Sequence, residues 1–339
     1  MNRTILVVVI TFTSLTMLTP THASESPKVM AHYMPWFRME PGKSGMIWEH
    51  WKWFGKGPKH DPDDILDNGR RDIASVYYPL IGPYHGKNRA VLEYHFLTAN
   101  AAGIEGFIAD WYGPNDYSDQ VFAEMITTAE RTGMKAAICL EEKTFFPQYS
   151  GAKTREDVLN TMEKQIRHVL DTHAKSDAYL RHEGRPVFFI FNFWGEGSLG
   201  PNNLSPDEIA DVLGRLDEDI LLVRGGGDPA YFDVAKGSYV WCADGKDRID
   251  FYERTKAHAQ DGTIEYWVGG ACPGFDDTGV WGWGGGPRVV DRRETKEYEE
   301  NWDEVLKYRP PVVQLITWND FEEGTIISRQ GSSALPSST

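Results

Sequence analysis

Apolar runs of strand length alternate with amphipathic stretches along nearly the whole chain. The runs are "VMAHYMPW", "GIEGFIADWY", "MKAAICLEE", "RPVFFIFNFW", "DILLVRGG", "SYVWCAD", "EYWVGGACP" and "VVQLITWND", eight in all. Between them lie segments such as "NRAVLEYHFLTANAAG", "DQVFAEMITTAERTG", "REDVLNTMEKQIRHVLDTHA" and "TKEYEENWDEVLKY", whose apolar spacing is that of helices buried on one face. The segment after the fifth run, "PAYFDVAKG", is short, and residues 38–87 are a long insertion after the first run. Strand and helix repeated to eight strands predict a parallel (β/α)8 TIM barrel over residues 24–327. A doubly wound open sheet is the competing architecture. Only a polar tail, residues 328–339, follows the last run, so the last helix is missing or truncated.

Each run ends in polar and aromatic residues, and in a barrel the carboxyl ends of the strands build the active site. The candidates for substrate contact are Tyr33 and Trp36 after the first strand, Asp110, Trp111 and Tyr112 after the second, and Glu141 after the third. Asn192 follows the fourth strand and Trp241 the sixth. Trp111 is expected to form a wall on which a sugar ring stacks. The eighth run leads into "WNDFEEGT". Strand alternation puts Val313, Leu315 and Thr317 on one face and Gln314, Ile316, Trp318 and Asp320 on the other. Trp318 and Asp320 are therefore expected in the barrel mouth, with Glu323 swinging back toward them from the turn and Asn319 and Glu322 close by. Carboxylates at the end of an apolar strand are costly without a task. One task is capping a terminal turn; another is glycoside hydrolysis, which uses one acid to protonate the leaving oxygen and a second to activate water or the sugar itself.

Charge and local motifs remove other classes. The net charge of −15 argues against nucleic acid as a partner. No H-E-x-x-H or C-x-x-C occurs and the ten histidines lack ligand spacing, so neither metal nor other cofactor is expected. No G-x-S-x-G elbow supports a serine hydrolase. "RGGGDPA" fits a dinucleotide pattern by letter, but it follows the fifth strand and opens a weak helix, so it reads as a tight loop. Lys52, Lys56 and Lys59 in the insertion either solubilise it or meet a charged glycan. Cys139 reads as a buried free thiol, whereas Cys242 and Cys272 could pair under oxidising conditions. The start, "MNRTILVVVITFTSLTMLTPTHA", has the basic, apolar and small-residue order of a signal peptide over residues 1–23. That predicts a secreted or periplasmic protein with no membrane span after cleavage, the alternative being an N-terminal membrane anchor; a monomer is expected.

"WNDFEEGT" resembles the WNE-x-x-EGT signature of glycoside hydrolase family 99, the endo-α-mannosidase and endo-α-mannanase family. It is also similar to the WNDYGE-type motif of family 71, the α-1,3-glucanases. "HYMPWF", "YYPLIGPY", "AGIEGFIADWYG" and "RPVFFIF" add local matches from about residue 29 to 327. The resemblance implies a metal-free barrel enzyme on α-linked glycans. It assigns Asp320 as base on the sugar 2-hydroxyl, giving an anhydro-sugar intermediate, and Glu323 as acid/base. It places the family's third-strand glutamate and first-strand tyrosine on Glu141 and Tyr33. Asp320 stands where family 99 has glutamate, and Glu322 is an extra acid. The expected function is an exported glycoside hydrolase on an oligo- or polysaccharide of mannan or glucan type. A non-catalytic glycan-binding protein and a polysaccharide-processing glycosyltransferase are the alternatives.

Overall fold

The computed structural model describes residues 26–243, 245–328 and 330. The expected leader (1–23) and residues 329 and 331–339 of the expected tail lie outside the described residues. Eight strands form one closed parallel sheet: β1 (Lys28–Tyr33), β2 (Gly106–Trp111), β3 (Lys135–Glu141), β4 (Arg185–Phe191), β5 (Leu221–Gly225), β6 (Gly237–Tyr239), β7 (Tyr266–Ala271) and β8 (Val312–Leu315). Neighbours follow chain order, and β8 closes on β1 with Lys28 opposite Val312. This is the parallel barrel that the alternation predicts, not an open sheet.

Helices α1 (Arg89–Ala101), α2 (Tyr117–Thr132), α3 (Arg155–Asp171), α4 (Pro206–Gly214), α5 (Gly245–Gln260) and α6 (Lys296–Tyr308) ring the sheet. Their starts are written in the sequence. Thr154 with Asp157, and Ser205 with Glu208, form reciprocal capping boxes, satisfying backbone N–H groups that a helix leaves unpaired. Asn88 and Asp116 cap α1 and α2. Gly133 ends α2 in the left-handed region at φ 74°, where a side chain would be strained. The fifth connection holds a single 3-10 turn, Pro229–Tyr231, as its short segment predicts. No helix follows β8 among the described residues. An apolar hollow of about 700 Å³ lies beside β8 instead, lined by Val29, Ile104, Tyr298, Trp302, Leu315 and Trp318.

Alternation along the strands builds two cores. On β2, Phe107, Ala109 and Trp111 join the layer between sheet and helices, while Ile108 joins the barrel interior with Cys139, Phe189, Val223 and Val268. Burying each of the Phe, Ile and Val side chains is worth roughly 1.5–3 kcal/mol. A third cluster, Phe37, Trp48, Trp51, Tyr84, Phe321 and Ile326, joins the 38–87 insertion to the turn after β8. The insertion thus buttresses the segment that carries the acids. Cys139 is a buried free thiol; Cys242 and Cys272 are unlinked, with their Sγ atoms 3.2 Å apart.

Candidate active site

The strand ends enclose a cavity of about 440 Å³ whose lining includes Asp110, Glu141, Asp320 and Glu323. Aromatic side chains, among them Trp36, Tyr112, Tyr149, Trp241 and Trp283, complete the wall. Asp320 is 2% exposed. Its Oδ1 accepts the Glu323 N–H at 3.0 Å, and its own N–H donates to Thr317 Oγ1 at 2.8 Å. The turn is therefore capped by the residue that lines the cavity.

Burial raises both acids. Burial, then the Glu322 charge, pushes Asp320 up to about 7, while the backbone N–H groups of Glu323 and Glu322 pull the other way. Burial raises Glu323 well above the usual carboxylate range, and the charges of Asp320, Asp277 and Glu322 add to it. Across the cavity, burial and the neighbouring Glu141 also raise Asp110 well above its ordinary value. Lys143 joins this second pair: its Nζ lies 3.1 Å from Glu141 Oε2 and donates to Tyr112 Oη at 3.0 Å. Burial works against its charge, but Glu141 and Asp110 raise its pKa overall.

The sequence profile of glycosyl hydrolase family 99 matches residues 26–203, more than half of the chain. The chain belongs to this family. The family 99 chain is 25% identical over 334 residues to a glycoprotein endo-alpha-1,2-mannosidase-like protein of Danio rerio, covering 90% of this chain and 68% of that one. It is 22% identical over 314 residues to the glycoprotein endo-alpha-1,2-mannosidase of Rattus norvegicus, covering 84% and 62%. Its fold matches that of the GH99 endo-alpha-mannosidase from Bacteroides thetaiotaomicron with a TM-score of 0.70 at 20% identity, covering 91% and 89%. The protein is accordingly a glycoside hydrolase with a barrel fold, and its substrate is a glycan. No helix among the described residues is long and apolar enough to cross a membrane.

In this family 99 enzyme the structure gathers Trp36, Asp110, Tyr112, Glu141, Trp241, Asp320 and Glu323 around one cavity. It does not bring every expected residue there. Tyr33 and Trp111 follow inward-facing neighbours by one position, so pleating turns both into the helix layer. Tyr33 is 0% exposed and its hydroxyl meets His95 Nδ1 at 3.0 Å. Trp111 is also 0% exposed, and its indole N–H donates to Asp119 Oδ1 at 3.2 Å. Trp318 packs outward against Phe107 and His95. The regular strand stops at Leu315, and beyond it Trp318 N donates to the His32 carbonyl while Thr317 pairs with Thr325 and Ile327. Alternation extrapolated from β8 therefore fails at Trp318.

Asn319 is a clamp: its Oδ1 accepts the Met34 N–H at 2.8 Å, and its Nδ2 donates to the Met34 carbonyl and to Tyr84 Oη. Glu322 is buried against His50, with Nδ1 and Oε2 2.7 Å apart. Burial opposes a charge on His50, yet Glu322 raises its pKa above the ordinary histidine value. Asn192 sits in an adjoining cavity, its Nδ2 donating to Gly225 O at 2.6 Å.

Sequence reasoning missed His50, which comes from the insertion and stacks on Trp36 with ring centroids 4.9 Å apart. It also missed Lys143 as a site residue, although a charged residue two positions beyond Glu141 was a usable sign. Tyr149 and Trp283 reach the cavity from short helical turns, Pro147–Ser150 and Thr278–Gly284, too brief for a period to point the way. Tertiary folding also gathers histidines that lack local ligand spacing. Asp119, His168 and His173 form one group of possible metal donors, and His32 and Asp110 of the cavity lining form another with the buried Cys139. In the first group Asp119 Oδ1 already lies 2.7 Å from His173 Nε2 and accepts from Trp111, so hydrogen bonds account for its geometry.

Proposed function

We propose that this enzyme cleaves α-linked mannan-type glycans, with Asp320 as base and Glu323 as proton donor. The observation that carries the reading is that two carboxyl groups three residues apart line one aromatic cavity, where burial raises both above the ordinary carboxylate range. Glu323 stays protonated and gives its proton to the leaving glycosidic oxygen. Asp320 ionises near neutral pH and takes the proton of the sugar 2-hydroxyl, whose oxygen attacks the anomeric carbon as the glycosidic bond breaks. Water then opens the anhydro-sugar, with the Glu323 carboxylate taking a water proton and Asp320 returning one to the 2-oxygen. The α-configuration is retained.

Asp110 and Trp36 line the same cavity, with Asp110 Oδ1 and Trp36 Nε1 buried and without a hydrogen-bond partner. Buried polar atoms of this kind call for partners, and the hydroxyls of a bound sugar supply them. The α-mannoside reading rests on the endo-mannosidase relatives. Incubation with a panel of α-linked mannans and glucans should release new reducing ends from mannans. A protein that binds such glycans and releases none would be the non-catalytic binder instead.

We further propose that the chain is exported, on the strength of the leader-like start at residues 1–23. Mass spectrometry of the processed protein should give an N-terminus at or near Ser24, and mature cytoplasmic protein that retains Met1 would overturn this.

A further inference from the structure

A second cavity of about 310 Å³ adjoins the catalytic one and shares Phe191 and Trp241 with it as a common wall. Its outer edge is Trp194, which is 64% exposed. An indole left so open on an isolated loop would be mobile, yet this one is built in. The Arg224 guanidinium lies 5.6 Å from the Trp194 ring and 3.6 Å from the Tyr231 ring. Arg224 is 3% exposed, and Tyr231 is tied down by its hydroxyl, which donates to Leu204 O at 3.0 Å. Contact between a guanidinium and two aromatic faces is attractive and directional. The loop is also pinned at both ends by one buried carboxylate: Glu142 accepts the Phe193 N–H at 2.9 Å and the Leu204 N–H at 2.7 Å.

The cavity's chemistry is that of a neutral sugar. Gly225, Gly226 and Gly227 give it a bare backbone wall, and a Cβ on Gly225 would press to 3.3 Å from Asn192 Nδ2. Asn192 Oδ1 is buried without a partner. Asp247 and Arg254 stand in the lining with one charge of each sign, so the site favours no net ionic ligand while offering both acceptors and donors. An apolar pocket with few polar groups and one fixed aromatic face suits a pyranose ring.

We propose that the second cavity is a subsite for a further neutral sugar of the same glycan chain, stacked on Trp194, beyond the residues held over the carboxylates. The proposal rests on the hydrolase reading for the identity of the chain, but not for the existence of the subsite. Binding of α-linked manno- and gluco-oligosaccharides of increasing length is measured calorimetrically in the Glu323→Gln background, where ligands persist. Affinity should rise once the ligand is long enough to enter the second cavity, and Trp194→Ala should cut that gain roughly tenfold, a loss of the size of one good aromatic contact. Trp194→Tyr, which keeps a ring on the Arg224 stack, should restore most of it. With active enzyme, the ratio of kcat/KM for long over short substrates should fall in parallel. Long ligands bound equally well by Trp194→Ala, or affinity that is independent of length, would overturn the subsite. Length-dependent, Trp194-sensitive binding with no cleavage by the wild type would keep the subsite and sink the hydrolytic mechanism.

Discussion

Asp320→Asn and Glu323→Gln should each lower turnover on a cleaved α-glycan by at least about 100-fold, the lower range for loss of a general acid or base. Both substitutions keep shape. Asparagine retains an Oδ1 to accept the Glu323 N–H, which Asp320 holds at 3.0 Å, so the turn survives and neither variant should be less stable in denaturant. Removing a carboxyl group whose pKa burial has raised relieves a penalty that the charged form suffers. The pH profile carries the signs. A base works deprotonated, so activity should rise with pH through Asp320's value of about 7. An acid works protonated, so activity should fall at higher pH as Glu323 loses its proton, and its raised pKa places that limb above the ordinary carboxylate range. Early product configuration, read by NMR, should be α. Full activity in both amide variants would show that these carboxyl groups do no chemistry, and early β product would replace the 2-hydroxyl route with direct attack by water.

Trp111→Ala should destabilise the fold by about 3–5 kcal/mol, the usual cost of truncating a large buried aromatic. The residue is 0% exposed, stacks near His168 and donates to Asp119. Its loss leaves a void between β2 and the helix layer and removes one donor from a buried carboxylate. Denaturant unfolding measures the loss. The Michaelis constant of the folded enzyme should not move, because the indole lies behind the strand and not in the cavity. Trp111→Phe, which keeps most of the volume, should lose less and serves where the alanine variant does not fold. A raised Michaelis constant with unchanged stability would put the indole against the substrate after all.

The reversal at Trp111 is instructive, because strand alternation carries enough information to predict it. Asp110 and Tyr112 face inward together, so the residue between them has to face out. Reading every polar or aromatic residue at a strand end as a site residue ignores that period. Tyr33 is misplaced for the same reason, with His32 and Met34 lining the cavity on either side of it. Trp318 is different: β8 ends at Leu315, and nothing local marks where the chain leaves the sheet.

Amphipathic period and turn chemistry decided the barrel, since each strand and helix has to bury its apolar face whatever lies elsewhere in the chain. The same reading located the acids of "WNDFEEGT" at the mouth, because a strand's carboxyl end in this fold has nowhere else to deliver them. The partnerships that make those acids differ were not local. Asn319 reaches Met34 and Tyr84, Glu322 meets His50, and Phe321 packs on Trp51 and Phe37, each across more than two hundred residues of sequence. Burial and neighbouring charge set a carboxyl group's pKa, and both are properties of what the fold brings near. The four letters Asn, Asp, Glu and Glu are alike in polarity along the chain; only tertiary packing makes one a clamp, one an ion-pair partner and two a titrating pair.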